Sequence, residues 1–251
     1  MNRNERLREL GRFLRARRGR IRPGDVGLVE GSRRRVPGLR REEVATLADI
    51  GITWYTMLES GTAPGVTPAT LEAVASVLRL DADERAYVHR MADARPGSPA
   101  RTIVDASTLG ALAAIEWAPA YVCTSQWLVP AWNEAMSLVW GIESPGSAPF
   151  NIVTRMFRDP AMRAMHGNAF GAFARDLVGM VRGGLSAFLG DPEYRRMCDD
   201  LQTDPVFAEA WNAFEVSTPL RPLDIAVESA AIGTFRYRMV TLEVTGQDGH
   251  W

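Results

Sequence analysis

The chain has 251 residues, 46% hydrophobic and 24% charged, which bounds it to one or two globular domains. Its near-neutral total hides an asymmetry: residues 1–95 hold 18 Arg against 13 Asp plus Glu, a balance of +5, and residues 96–251 hold 11 against 17, a balance of −6. That is the pattern of a nucleic-acid-binding module joined to something else, while the charged start MNRNERLREL and the lack of any long apolar run exclude a signal peptide and a bilayer span, so a cytoplasmic protein without membrane contact is expected.

In chain order, Asn4 to Arg18 carries Leu7, Leu10 and Leu14 on one stripe with Phe13 beside it, a predicted packing helix whose other faces are crowded with Arg. Residues 19–38 contain five Gly and two Pro and read as a long loop. Long loops in compact domains tend to be functional, and this one holds Arg33, Arg34 and Arg35, with Arg20 and Arg22 as weaker candidates for phosphate contact. The plain alternative for any one of them is a solvated charge.

Leu39 to Gly61, LRREEVATLADIGITWYTMLESG, reads as two short helices across a tight corner. Val44, Ala45, Leu47 and Ala48 give the first, from about Arg41, an apolar face. The second starts near Ile52, carries Tyr55 and Leu58, and ends where Gly61 can take the left-handed cap. The spacing alone fits any αα-hairpin. The Arg33–Arg35 run just upstream and Arg40 with Arg41 at the first helix make it a helix-turn-helix facing DNA. Thr67 before Pro68 caps a fourth helix through Leu71, Val74, Ala75 and Leu78, and Asp81 with Glu84 opens a fifth through Tyr87, Val88 and Met91. The expected division is a helical domain at 1–93, a Pro/Gly linker at 94–102 and a second domain at 103–251.

The second half changes character. After an apolar helix from Ala106 to Ile115 come two strand-like runs, Ala120 to Thr124 and Trp127 to Trp132, then Asn133 capping a helix through Trp140. Helices follow over 152–157 and 161–189, the latter interrupted at glycines, then two more opened by Asp191-Pro192 and Asp204-Pro205. Leu223 to Ser229 and Thr234 to Thr245 alternate as antiparallel strands, giving an α+β domain in which strands from both sequence ends pair around or beside a helical middle. Cys123 and Cys198 are isolated and read as buried thiols, and no metal, nucleophile-base or paired-acid pattern stands out, so no catalytic residue, metal or cofactor is assigned.

These segments resemble a known family. Leu39 to Gly61 is similar to the XRE-type helix-turn-helix, and the whole chain resembles the MmyB-like ligand-binding transcriptional regulators of bacteria. The resemblance is carried by RRRVPGLRREEVATLA (Arg33 to Ala48), WYTMLESG (Trp54 to Gly61), PAYV and AWNEA (Pro119 to Val122, Ala131 to Ala135), and NIVTRMFRDPAMR (Asn151 to Arg163). It continues in ARDLVGMVR (Ala174 to Arg182), DPVFAEAW (Asp204 to Trp211) and IGTFRYRMVTLEV (Ile232 to Val244). The sequence departs from the family at Asp49, where Gly is usual, at Phe214-Glu215-Val216, where His-Asp-Val is common, and at Ser229 and Ala230 in place of His-Pro.

The resemblance implies a PAS-like α+β domain enclosing an apolar pocket for a fatty-acid-like or other hydrophobic small molecule. Matching to the helix-turn-helix places Ile52, Thr53, Thr56 and Met57 on the base-facing side, with packing against a neighbouring helix as the competing reading for Ile52 and Met57. Arg33, Arg34, Arg35, Arg40 and Arg41 are expected on the DNA backbone, with Trp54 there or in the core. Tyr121, Cys123, Trp132, Trp140, Phe157, Phe173, Trp211, Phe214 and Tyr237 are the expected pocket lining, a packed aromatic core being the alternative, and Arg155, Arg175 and Arg182 are cations available to a ligand carboxylate. The expectation is a transcriptional regulator, a repressor rather than an activator, bound as a homodimer to a two-fold operator in double-stranded DNA. Two alternatives remain: a second domain that only dimerises or binds a protein partner, and one with enzymatic activity.

Overall fold

The computed structural model describes residues 3–29, 34, 36–93, 104–188, 190–218, 222–229 and 233–242. The chain divides into two compact units, residues 1–96 with 185–192 and residues 97–184 with 193–251. The expected linker at 94–102 lies outside the described residues, as does Trp251.

The first unit is built from α1 (Arg3–Arg20), α2 (Arg41–Leu47), α3 (Ile52–Ser60), α4 (Pro68–Val77) and α5 (Ala82–Asp93). The Leu stripe of α1 is its spine: Leu10, Phe13 and Leu14 are fully buried, together with Val44, Tyr55, Val74 and Tyr87 from the other four helices. Phe13 and Tyr87 meet edge to face at 5.0 Å. A buried ion pair, Arg17 to Glu84 at 2.5 Å, ties α1 to α5. Gly11 sets the closest approach, because a Cβ there would stand 2.3 Å from the Glu59 carbonyl oxygen of α3. The expected caps form: Thr67 Oγ1 accepts from the Thr70 amide, and Asp81 and Glu84 bond each other's backbone amides.

The rest of the chain carries α6 (Ala106–Ala113), β1 (Tyr121–Val122), β2 (Leu128–Val129), β3 (Ala131–Trp132), α7 (Glu134–Trp140), β4 (Phe150–Asn151), α8 (Ile152–Arg158), α9 (Pro160–His166) and α10 (Phe170–Phe188). It ends with α11 (Pro192–Leu201), α12 (Pro205–Asn212), β5 (Leu223–Ser229) and β6 (Gly233–Met239). Helices and small sheets together make the expected α+β domain. Among the described residues no helix is long and apolar enough to cross a membrane.

The sheets differ from expectation in detail. Three separate two-stranded antiparallel ladders form: β1 with β3, β2 with β4, and β5 with β6. Strands from the two sequence ends are not in one ladder among the described residues; they meet through side chains, the Tyr121 hydroxyl donating to Met239 Sδ at 3.5 Å. The run from Trp127 to Trp132 is two strands, because Pro130 has no amide to donate and breaks it. The glycine-rich helix breaks only at Gly167 (φ 48°) and then runs through Gly171, Gly179, Gly183 and Gly184.

Candidate nucleic-acid interface and effector cleft

The corner between α2 and α3 is made by Ala48, Asp49 and Ile50, with Asp49 in the left-handed region at φ 53°. Asp tolerates that conformation better than most residues because its short side chain can bond locally, so it serves where a glycine is the easier choice. Gly51 then precedes α3, and Gly61 closes it at φ 73°.

Helical periodicity splits α3 into two faces. Tyr55, Leu58 and Glu59 are buried against α1 and α2, whereas Ile52, Thr53, Thr56 and Met57 are all exposed, Ile52 by 45% and Met57 by 39%. The four sequence-predicted base-facing residues thus share one outward surface, and the packing alternative for Ile52 and Met57 does not hold within this unit. Two hydroxyls and two apolar side chains at the start of a helix suit hydrogen bonding to base edges and contact with thymine methyls.

Beneath this surface a buried carboxylate locks the helix. Glu59, with 1% of its side chain exposed, accepts from Arg18 Nε at 2.5 Å, Arg18 Nη2 at 3.2 Å and Arg41 Nε at 2.6 Å. Burial alone would raise its pKa, but the bonds from Arg18 and Arg41 outweigh it and hold the carboxyl below its usual value. Arg18 also donates to the Leu39 carbonyl at 2.7 Å, so one side chain pins α1, the chain entering α2, and α3.

The cations fall into three groups. Among the described residues Arg40, whose side chain is 48% exposed, makes a loose pair with Glu42 at 3.3 Å, and Arg41 is 43% exposed with its Nε on Glu59. Arg34 corrects an expectation: its guanidinium is committed within the protein, in a fork on Glu43 at 2.7 and 2.6 Å with further bonds to the Val36 and Gly38 carbonyls. That fork and the Arg40 backbone amide hold Glu43 below its ordinary pKa, so Arg34 staples the loop to α2. Arg33 and Arg35 lie outside the described residues. Trp54 is half-buried on the flank of α3, its indole N–H donating to the Gly65 carbonyl at 3.2 Å.

In the second unit a cleft of about 690 Å³ opens between α9, the start of α10 and the β5–β6 ladder. His166, Phe173, Ile225 and Tyr237 line it together with Asp176, Asp224, Arg236 and Arg238. Of the nine predicted lining residues, only Phe173 and Tyr237 face this space. The other seven lie away from this cleft, most of them packed on further side chains of the unit. Phe157 meets Phe170 and Phe207 edge to face at 5.9 and 5.2 Å, Trp132 meets Phe150 at 5.2 Å, and Tyr121 lies 6.0 Å from Trp140. Cys123 is buried, and burial pushes its thiol and that of Cys198 up to about 12, away from thiolate chemistry.

Trp211 and Phe214 hold Arg182 between their rings, its guanidinium carbon 4.0 and 4.5 Å from the two centroids and Nη2 donating to the Trp211 carbonyl at 2.6 Å. Arg182 is 1% exposed and structural, not a cation awaiting a ligand. Arg155 is tied to Glu143 at 3.0 Å, and Arg175 is exposed outside the cleft. The cations at the cleft are Arg236 and Arg238, the second bridged to Asp224 at 2.8 Å. Nothing in the sequence placed these two beside His166.

His166 is 3% exposed and stacks on Phe173 with centroids 4.2 Å apart and planes 10° from parallel. Burial lowers its pKa, opposed in part by the Ala226 carbonyl 3.2 Å from Nδ1. Below about pH 6.5 the unfolded imidazole protonates before the folded one does, so this residue removes stability as pH falls through that window. The second unit should melt at lower temperature at pH 5.5 than at pH 7.5, and His166→Phe should flatten the difference; an unchanged pH dependence in the variant would assign it elsewhere.

Residues 104–251 match the family described as the MmyB-like transcription regulator ligand binding domain, and residues 9–88 match the helix-turn-helix domain family. No curated protein matches the chain significantly.

Proposed function

Because the chain belongs to the MmyB-like transcription regulators, a DNA-binding regulator with a ligand-binding C-terminal domain, we propose that it is a repressor that binds a two-fold operator as a homodimer and is released or recruited by a small hydrophobic effector. The observation that carries the DNA half is the outward face of Ile52, Thr53, Thr56 and Met57 on a helix whose opposite face is locked by Glu59. Set into the major groove, that face reads modestly and leans towards A·T pairs, since Ile, Thr and Met touch thymine methyls and only the two threonines offer hydrogen bonds. Affinity comes mainly from arginine on phosphate, with Arg40 and Arg41 the exposed candidates beside α3.

Arg40→Ala provides the test of the backbone role. Operator affinity should fall across all sequences, and the slope of log affinity against log salt should become shallower by about 0.9 per subunit. An unchanged slope would remove Arg40 from the interface. Effector binding and operator binding are linked: whatever factor the effector imposes on DNA affinity, DNA imposes on effector affinity. Anisotropy titrations of a labelled operator with and without effector, and effector titrations with and without operator, should return equal factors; effector binding that leaves operator affinity unmoved would remove the second domain from control of the first.

A further inference from the structure

His166 holds an atom that the fold leaves unsatisfied. Its Nδ1 faces the Ala226 carbonyl at 3.2 Å, and a carbonyl can only accept, so Nδ1 carries the proton. In the neutral ring Nε2 is then an acceptor. It is buried and has no hydrogen-bond partner among the described residues, while the ring itself lines the 690 Å³ cleft. Buried acceptors without a donor are costly and uncommon, so this one calls for a donor from outside the described protein groups. The stack on Phe173 and the Nδ1 bond fix the ring plane, so Nε2 cannot turn away to find another partner.

The remaining lining limits what can bring the donor. Ala169, Ala172, Phe173, Ile225 and Ala226 offer apolar contact. Asp224 and Arg238 satisfy each other in a two-bond fork at 2.8 and 3.1 Å. A ligand carboxylate would set its oxygens, which only accept, against Nε2 and near Asp176, with Arg236 at the exposed rim as its counter-charge. A hydroxyl or amide N–H meets Nε2 directly and costs no charge desolvation.

Resting on the reading of this domain as the effector-binding one, we propose that its effector is an amphiphile with a neutral hydrogen-bond donor, a hydroxyl or amide N–H, given to His166 Nε2, and an apolar body lying on Phe173 and Ile225. The selected feature is the donor, not a carboxylate.

Three probes of matched length separate the possibilities: 1-decanol, decyl methyl ether and decanoate, titrated calorimetrically into the full chain at pH 7.5. Decanol should bind on the order of tenfold tighter than the ether, which keeps the oxygen and loses the donor, and tighter than decanoate. In His166→Phe, which keeps a ring to stack on Phe173, the alcohol-to-ether ratio should collapse towards one. The ratio in the unaltered chain is decisive even if that variant does not fold. Equal affinities for alcohol and ether would mean that water serves Nε2, and tighter decanoate would mean an acid-binding site; either result overturns the donor assignment and leaves effector binding standing. If none of the three binds, the donor assignment and the effector reading of this cleft both fall.

Discussion

Glu59→Ala is expected to destabilise the first unit by about 3–5 kcal/mol, the cost of removing one member of a buried ion cluster. The carboxylate is 1% exposed and is the shared acceptor of Arg18 and Arg41, so its loss takes from Arg18, at 14% side-chain exposure, its carboxylate partner. Arg41, at 43%, can turn to water, so most of the cost falls on Arg18. Glu59→Gln keeps the shape and an acceptor and should lose less. Glu59 is held below the ordinary carboxylate value, so its contribution is complete above about pH 4.5 and is lost as pH falls through the folded value. Urea denaturation from pH 3 to pH 7 should show this acid limb in the unaltered chain and a reduced limb in Glu59→Gln. Operator binding should disappear in Glu59→Ala at temperatures where the unaltered chain still binds, although Glu59 touches no base.

Gly183→Ala should produce a smaller loss, confined to the second unit. Alanine is the better helix former by about 1 kcal/mol, so propensity alone favours the change. Packing opposes it: a Cβ at Gly183 would lie 2.3 Å from the Ser217 carbonyl oxygen, a backbone atom that cannot swing aside. One turn earlier the Ser217 amide donates to the Gly179 carbonyl at 3.0 Å, and about two turns earlier Ser217 Oγ donates to the Asp176 carbonyl at 3.2 Å, which fixes that stretch of chain against α10. Forcing atoms into such a contact costs about 1–3 kcal/mol or more, and this outweighs the propensity gain. Gly171→Ala in the same helix is the control, because nothing lies within 4 Å of its Cβ position. It should stabilise by about 0.5–1 kcal/mol. Opposite signs in thermal melts would establish close approach as the cause; two stabilising substitutions would contradict it.

Much of the first unit was legible because its signals are local. The Leu7–Leu10–Leu14 stripe, the buried Tyr55 and Leu58, the left-handed Gly61 and the Thr67 cap all follow from residues within a turn or two of one another. Asn133 and Asp204 were readable as caps for the same reason. What was not legible depends on partners distant in sequence. Gly11 looks like a weak helix residue until the Glu59 backbone arrives beside it, and Gly179 and Gly183 look like breaks until Ser217 does. Arg34 belongs to a basic run in sequence but is turned inward by Glu43.

The second unit shows the same limit in its chemistry. Aromatic residues at regular spacing encode interior surface, and most of the expected pocket residues do not line this cleft: Phe157 closes on Phe207, and Trp211 closes on Arg182. His166 carried no signal in the sequence. Its significance comes from Ala226, 60 positions on, which takes one ring nitrogen and leaves the other facing no protein partner among the described residues.

Selection of bound duplexes from a random-sequence pool by the full chain, repeated with Thr53→Ala/Thr56→Ala, tests the central reading most directly. The unaltered chain should enrich a two-fold motif, and the variant should bind with similar salt dependence but flattened base preference at the positions α3 faces. Failure to enrich any motif, or an identical motif from the variant, would contradict sequence reading by this face of α3.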